Sequence, residues 1–128
     1  MKGAYPITIN QSDNFYIVFV PDFNINTQGE TLTEAMEMAR DVIGMTGCYL
    51  EDEGKSIPLA SHLKDLKANE DELLVLVDVD FVAYRKKHET RTIRKNVSLP
   101  SWLNEAAEKA NLNVSAVLQR ALKEELNL

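Results

Sequence analysis

Four aspartates are the first candidates for catalytic chemistry in this 128-residue chain, because carboxylates hold the divalent cations of many nucleases. A two-metal nuclease requires several carboxylates that converge on metals about 4 Å apart. Asp78 and Asp80 share one face of a strand-like run, near its end, where carboxylates are solvated. Asp13 and Asp22 lie in turn sequences, which aspartate favours. The sequence therefore predicts no catalytic site, and a metal-dependent nuclease is kept only as an alternative.

Two histidines and one cysteine are the other residues with catalytic or metal-binding chemistry. His62 and His88 stand 26 residues apart, and neither is close in sequence to Cys48. Zinc ligands are typically spaced as in CxxC or HxxxH, and neither pattern occurs. The chain also has no glycine-rich phosphate loop. The sequence thus predicts no metal and no cofactor, and it predicts that Cys48 is a small buried apolar side chain.

A row of polar side chains near the C-terminus has the chemistry of DNA base recognition. Residues 92–99 alternate between polar and apolar types except at Lys95, and a β-strand places alternate residues on opposite faces. Arginine suits guanine N7 and O6, asparagine suits adenine N6 and N7, and serine is permissive. A two-stranded ribbon of such strands fits the major groove. The predicted base-reading residues are Thr92, Arg94, Asn96 and Ser98.

The opposite face of the same segment consists of Ile93, Lys95, Val97 and Leu99, and it is apolar except at Lys95, whose alkyl stem can lie over a core while its ammonium group reaches solvent. Apolar spacing then predicts two short helices, the second over 114–126. One strand and two short helices form too small a unit to bury a core alone, and a lone strand leaves both edges unpaired. Antiparallel pairing of two copies removes both problems. The sequence therefore predicts a homodimer through residues 91–128.

The start of the second predicted helix is a candidate phosphate site. Asn113 is a typical N-cap residue, and the first amides of a helix have no partner within it. The amides of Val114 and Ser115 are therefore available to a DNA phosphate. Asn113, Val114 and Ser115 complete the predicted DNA-binding set.

The N-terminal half predicts strands around one helix. Alternation over 5–10 and an aromatic and β-branched run over 15–20 indicate a β-hairpin. A short extended piece over 24–28 is a candidate third strand. The apolar run 73–79 predicts a further strand.

A long helix is predicted between the third and fourth strands, over residues 32–52. Thr31 and Glu34 have the spacing of a capping box at its start. Gly44 and Gly47 lower its propensity by about 1 kcal/mol each relative to alanine. The pattern resumes after them, so one continuous helix is expected.

Charge divides the chain into two parts. Residues 1–81 carry 5 Lys/Arg and 15 Asp/Glu, a net of −10, and residues 82–128 carry 9 and 5, a net of +4; together they give −6. Periodicity is lost near 84–90, which predicts a linker. The basic cluster suggests nucleic-acid binding, and the acidic part suggests a basic protein partner. The alternative is that the basic residues form a solvated linker and that the acidic surface only aids solubility. The basic cluster consists of Arg85, Lys86, Lys87, Arg91, Arg94 and Lys95.

The stretch from Arg94 to Pro100, followed by two helices with an Asn-Val-Ser break at 113–115, resembles the ribbon-helix-helix family of DNA-binding dimers. Carried over position by position, the resemblance implies base reading by Arg94, Asn96 and Ser98. It implies phosphate binding by 113–115.

Motifs in the N-terminal half are similar to HicB antitoxins, and the resemblance extends over nearly the whole chain. It implies an α+β fold, with an N-terminal partial ribonuclease-H-like β-β-β-α-β domain and a C-terminal ribbon-helix-helix (β-α-α) dimerisation domain. The implied domains are 1–83 for toxin binding, a linker over 84–90, and 91–128 for dimerisation and DNA binding. The motifs are Val20-Pro-Asp-Phe, Thr27-Gln-Gly-Glu-Thr-Leu, Glu34-Ala-Met-Glu-Met-Ala and Ile57-Pro58.

The resemblance also implies a function without catalysis. It implies an antitoxin of a type II toxin–antitoxin system that binds and occludes HicA, a small basic RNA-cleaving toxin. As a dimer, such a protein represses its own operon by binding operator DNA; assembly of dimers into tetramers is left open. The alternative is a ribbon-helix-helix repressor whose N-terminal part senses a small ligand.

The cellular location is predicted from three absences in the sequence. No apolar signal-peptide core follows Lys2, and the uncharged stretch 14–21 is too short to cross a bilayer, which requires about 20 apolar residues. A single cysteine cannot form an intrachain disulfide. We therefore expect a cytoplasmic protein with no membrane partner.

Overall fold

The computed structural model describes residues 1–89 and 92–128, so Thr90 and Arg91 lie outside the described residues. The chain divides into two compact units, Met1–Arg91 and Thr92–Leu128, called here the first and the second unit. The described elements are strands, α-helices and a short 3₁₀ helix at Leu63–Asp65, which confirms a mixed α+β fold.

The first unit is built on an antiparallel four-stranded sheet with the order β3-β2-β1-β4. The hairpin and the third and fourth strands are confirmed, with β1 longer than predicted at its N-terminal end. Asp13 turns the hairpin with a φ of 36°, a conformation that aspartate tolerates better than most residues. The strands are β1 (Lys2–Ser12), β2 (Phe15–Val20), β3 (Ile25–Gly29) and β4 (Glu72–Asp80).

A single long helix, α1 (Leu32–Asp52), packs on this sheet and confirms the predicted helix. Thr31 Oγ1 accepts a hydrogen bond from the backbone amide of Glu34 at 3.1 Å, which is one half of the predicted capping box. Gly54 follows the helix with a φ of 75°, a left-handed conformation that glycine adopts at little cost.

The core lies between α1 and one face of the sheet, because strand alternation turns every second side chain towards the helix. Tyr5, Ile7 and Ile9 of β1 are fully buried there. Tyr5 also donates a hydrogen bond from its hydroxyl to the Pro58 carbonyl at 2.7 Å, which fixes the loop after α1. The other buried members of this core are Val18, Val20, Ala35, Ala39, Ile43, Cys48, Ile57, Val77, Val79 and Phe81.

A linker was expected over residues 84–90. The structure instead has an eight-residue helix, α2 (Phe81–His88), which includes most of that range. The Asp80 carboxylate caps this helix by accepting a hydrogen bond from the Ala83 amide at 3.1 Å. Phe81 is 2% exposed and belongs to the core. The sequence showed no periodicity here because α2 is short and is held by contacts with α1.

The two glycines of α1 provide the space that α2 occupies. A Cβ atom at Gly44 would lie 2.5 Å from the Tyr84 ring, and one at Gly47 would overlap the Phe81 ring. Residues that reduce helix propensity in the sequence are therefore required for helix packing. Their cost to α1 is offset by the burial of two aromatic rings.

A Gly47→Ala variant is expected to lower the free energy of unfolding of the first unit by about 1–3 kcal/mol, because the added methyl group overpacks a filled core. Urea denaturation followed by circular dichroism measures this change. Thr33→Ala, at an exposed position of the same helix, is the control and is expected to stay within about 0.5 kcal/mol of the parent. Stabilisation by Gly47→Ala, as helix propensity alone predicts, would contradict the packing described here.

The second unit contains two helices, α3 (Ser101–Lys109) and α4 (Val114–Leu126), which confirm the predicted pair. Asn111 separates them with a φ of 54°. The strand predicted over 92–99 is not observed, because residues 92–100 have no regular secondary structure in the single chain. A strand requires ladder hydrogen bonds to a neighbouring strand, and the predicted neighbour belongs to a second copy.

Candidate functional site

The four predicted base-reading residues, Thr92, Arg94, Asn96 and Ser98, lie in the segment before α3 and are called the polar row. All four are exposed. Their two-residue spacing would place them on one face if the segment were extended in a ribbon. The structure of one chain does not test contact with DNA, so their role stays a prediction.

Apolar side chains of the second unit are left uncovered in the single chain. Neither α3 nor α4 contains a buried residue, and Trp102 is 70% exposed. Exposed large apolar side chains in such number mark an interaction surface. The other exposed large apolar residues of the unit are Ile93, Val97, Leu99, Leu103, Leu112, Val114, Leu122, Leu126 and Leu128.

The start of α4 has the geometry predicted for an N-cap. Asn113 Oδ1 accepts a hydrogen bond from the Ala116 amide at 3.1 Å, and the Asn113 carbonyl accepts one from Val117, also at 3.1 Å. The amides of Val114 and Ser115 precede the first intrahelical bond, so the helix itself does not use them. Their binding to phosphate remains a prediction.

Arg85 belongs to the predicted basic cluster, but its guanidinium is already paired with acidic side chains of the first unit. Its guanidinium lies 2.9 Å from an Asp52 carboxylate oxygen and 3.3 Å from one of Glu51, and it donates a hydrogen bond to the Cys48 carbonyl at 3.3 Å. A 3.3 Å ion pair to Glu89 completes the set. These hydrogen bonds, with that to Asp52 first, raise the pKa of Arg85 above its ordinary value. Arg85 therefore ties α2 to the C-terminal end of α1 and is unsuited to bind nucleic acid.

Each of the four aspartates considered for catalysis, except the turn-forming Asp13, has a structural partner. Asp22 accepts hydrogen bonds from the backbone amide and hydroxyl of Ser61, at 2.9 and 2.5 Å. Asp80 caps α2, and the Ala83 amide lowers the pKa of its carboxyl. Asp78 pairs with Arg40. Within residues 1–89 and 92–128, no three His, Cys, Asp or Glu side chains are grouped so as to hold a metal ion.

An open cleft of about 570 Å³ lies between α1, the end of β4 and α2. Arg40 lies on its wall, 3.0 Å from Asp78, and this hydrogen bond holds the pKa of Asp78 below its usual range. Burial, followed by the charge of Asp41, raises the pKa of Tyr84. Four carboxylates and two basic side chains, Arg40 and Lys87, line the cleft. The lining residues are Glu37, Arg40, Asp41, Asp78, Val79, Asp80, Ala83, Tyr84, Lys87 and His88.

This acidic cleft was missed in the sequence, although one signal for it exists. Glu37 and Asp41 are spaced by four residues, so both lie on one face of α1. Their proximity to Asp78 depends on β4 being an edge strand, which no local pattern specifies.

The match to a protein family includes residues of both units. Residues 5–122 match the family described as HicB_like antitoxin of bacterial toxin-antitoxin system. This chain belongs to that family. The match extends from β1 to α4 of this HicB-like antitoxin. A search of curated proteins gave no match.

Solved structures agree with the HicB-like assignment. The fold is similar to that of a chain in a toxin–antitoxin complex from Streptococcus pneumoniae, with a TM-score of 0.61 and 24% sequence identity. The similarity covers 98% of this chain and 99% of that one. The antitoxin HicB of Burkholderia pseudomallei is 26% identical over 98% and 97% of the two chains, with a TM-score of 0.55. A chain of a HicA3 and HicB3 toxin–antitoxin complex matches 60% of this chain and 98% of its own, with 20% identity and a TM-score of 0.52.

Among the described residues, this HicB-like antitoxin has no helix that combines the length and hydropathy required to cross a membrane.

Proposed function

We propose that this HicB-like antitoxin binds and occludes a small, basic, RNA-cleaving toxin through its first unit, in the cytoplasm. We also propose that it dimerises through residues 91–128 and represses its own operon by binding operator DNA. The observation that carries the second proposal is the absence of buried residues in α3 and α4. Two helices with uncovered apolar stripes require a partner surface.

A second copy supplies that surface with the least additional assumption. Antiparallel pairing of the segments 92–99 of two copies would give each segment the inter-strand hydrogen bonds that it lacks in the single chain. It would also bring the set Ile93, Val97 and Leu99 against the same set in the partner. The polar row would then face outwards on both strands. A two-stranded ribbon of this kind has the width of the major groove, and the two α4 amide ends would flank it at the phosphates.

Replacing Arg94 or Asn96 by alanine is expected to weaken operator binding by about 1–3 kcal/mol and to relax specificity at one base position, because each loses a bidentate base contact. Titration of upstream DNA at fixed salt, with single-base variants of the operator, measures both effects. Lys109→Ala, an exposed residue near the end of α3, is the control for a lost positive charge. Equal affinity and specificity for Asn96→Ala and the parent would contradict base reading by the polar row.

Toxin binding is supported by the charge of the first unit and by the acidic cleft. Residues 1–81 have a net charge of −10. Complementary charge accelerates the encounter with a basic partner and disfavours acidic ones. Glu37 and Asp41 on α1 lie beside Asp78 on β4 and form the part of this surface that is fixed by regular structure.

A Glu37→Lys and Asp41→Lys double variant is expected to slow association with the basic toxin by about tenfold or more at low salt, because it reverses the local field that steers encounter. Stopped-flow association at two salt concentrations tests this prediction. The control is Glu70→Lys with Asp71→Lys, which changes net charge equally but lies before β4, away from the cleft. Equal slowing by both pairs would assign the effect to net charge and contradict a role for the cleft.

Co-purification with the product of the neighbouring gene, followed by a gel shift on upstream DNA, tests the whole proposal. A very short basic protein retained by the antitoxin, and a shift of the upstream fragment, are the expected results. A thermal shift with a metabolite, but no retained protein, would instead favour a repressor that senses a small ligand.

A further inference from the structure

An exposed apolar row runs along the solvent-facing side of α1. Met38, Met45 and Tyr49 are 40%, 53% and 59% exposed, and half-buried Val42 lies between them. Spacings of three and four residues align these side chains on one face of the helix. The row, called here the α1 stripe, lies about 140–180° around the helix from buried Gly47, at about 100° per residue. Of its four members, Val42 alone packs against the core.

Carboxylates border the α1 stripe along one side. Glu34 and Asp41 are exposed and stand four residues before Met38 and Met45, so each lies beside one methionine on the helix surface. Asp41 also lines the acidic cleft, so the stripe and the cleft meet at this residue. An apolar row with a charged border has the composition of a protein–protein interface, in which a polar rim surrounds an apolar centre.

The acidic border indicates which partner can approach the stripe. A second copy of this chain would bring its own acidic border towards Glu34 and Asp41, and the phosphates of a nucleic acid would be repelled by the same carboxylates. A partner that places apolar side chains on the stripe, and Lys or Arg side chains beside the border, matches both features. The small basic toxin of the proposed function has the required charge.

We propose that the α1 stripe is the apolar contact that keeps the basic toxin bound to the first unit. This inference rests on the proposed toxin binding and extends it to the surface that sets the lifetime of the complex. The acidic cleft accelerates the encounter, whereas Met38, Met45 and Tyr49 bury apolar surface in the complex and slow dissociation. Flexible methionines adapt to the shape of a partner, and tyrosine is frequent among the residues that dominate binding.

A double substitution in the full chain, Met38→Gln with Met45→Gln, tests this division of roles. Glutamine is similar to methionine in length and helix propensity, and both positions are exposed, so the fold is expected to be retained. Surface plasmon resonance follows binding of the short basic protein encoded by the neighbouring gene. Dissociation is expected to be faster by about tenfold or more, and association to change by less than about twofold. Met38→Leu with Met45→Leu keeps the apolar surface and is expected to dissociate like the parent.

The matched control is Ile17→Gln with Leu76→Gln, two apolar positions that are 40% and 45% exposed. Each is adjacent in its strand to a buried valine of the core, so both lie on the sheet face away from α1. The control is expected to dissociate like the parent. Faster dissociation of the control, alone or equally with the glutamine variant of the stripe, would overturn the proposal.

Two further results are distinguished by the same measurement. Parent-like dissociation of the stripe variant, with the parent binding normally, would overturn docking on the stripe and leave the proposed toxin binding in place. Failure of the parent itself to bind the basic protein would overturn toxin binding and the role of the stripe together.

Oxidation of the methionines provides a test without substitution. Hydrogen peroxide converts an accessible thioether to a sulfoxide and is itself reduced to water. Met38 and Met45 are expected to be oxidised several-fold more slowly in the complex than in the free antitoxin, as measured by peptide mass spectrometry. Met1, which is 47% exposed and lies outside α1, is the internal control and is expected to react equally in both states. Unchanged rates at Met38 and Met45 would contradict docking on the stripe.

The molecular mass of the free glutamine variant, from light scattering, separates toxin docking from contact between copies. The variant is expected to retain the mass of the parent. A halved mass with parent-like dissociation of the toxin would assign the stripe to self-association and overturn the proposal.

Discussion

A Val97→Glu variant is expected to lose operator binding and to have half the molecular mass of the parent protein. In the single chain Val97 is half exposed, so the substitution does not disturb either helix. In a ribbon dimer the two Val97 side chains lie in the shared core, where an ionised carboxylate costs several kcal/mol of desolvation. Two such carboxylates close together raise that cost further.

The matched control for this variant is Ser98→Glu, which places the same side chain one residue later and therefore on the opposite face. It is expected to retain the parent mass while losing affinity for DNA, because its carboxylate faces the phosphates. Gel shift and light scattering on both variants separate dimerisation from DNA binding. Parent-like mass and affinity for Val97→Glu would contradict the ribbon.

Replacing Phe81 by alanine is expected to lower the free energy of unfolding of the first unit by about 3–5 kcal/mol, the range for a large buried aromatic. The Phe81 ring packs edge-on against Tyr5, with centroids 6.0 Å apart, and over Gly47. Its removal leaves a cavity beneath the first turn of α2. Because Phe81 and Tyr84 are the main apolar anchors of α2, the loss of the more deeply buried one is expected to loosen the helix.

Urea denaturation with a far-ultraviolet signal measures this loss, and toxin neutralisation at rising temperature reports its functional effect. Lys86→Ala, on the exposed side of α2, is the control and is expected to change stability by less than about 0.5 kcal/mol. A small effect of Phe81→Ala would mean that α2 is peripheral to the core.

Most of the first unit could be predicted because its elements have strong local signals. The hairpin follows from alternation, α1 from its cap and apolar spacing, and β4 from a continuous apolar run. Helix α2 could not be predicted, since Phe81 and Tyr84 are its main anchors and their partners, Gly47 and Gly44, are more than 30 residues earlier. A glycine pair inside a helix indicates close packing as readily as it indicates weakness.

The candidate DNA-binding site was predicted from side-chain chemistry. The structure adds that the two helices of the same unit, α3 and α4, contain no buried residues. The positions of Asn113 and the two C-terminal helices follow from capping and apolar spacing. The strand predicted over 92–99 is not formed in the single chain, and in the proposed dimer its hydrogen-bond partners would belong to a second copy. The cleft was missed for a related reason: it joins residues from three elements whose arrangement is set by tertiary packing.

Because α3 and α4 contain no buried residues, the proposed dimerisation would make the order of the second unit depend on protein concentration. Under that proposal the C-terminal units dimerise at high concentration and the operator is occupied. When growth dilutes the antitoxin, the dimers dissociate, and because only a dimer forms the DNA-binding ribbon, operator occupancy would fall more steeply than antitoxin concentration. Transcription of the operon would then resume over a narrow range of antitoxin concentration.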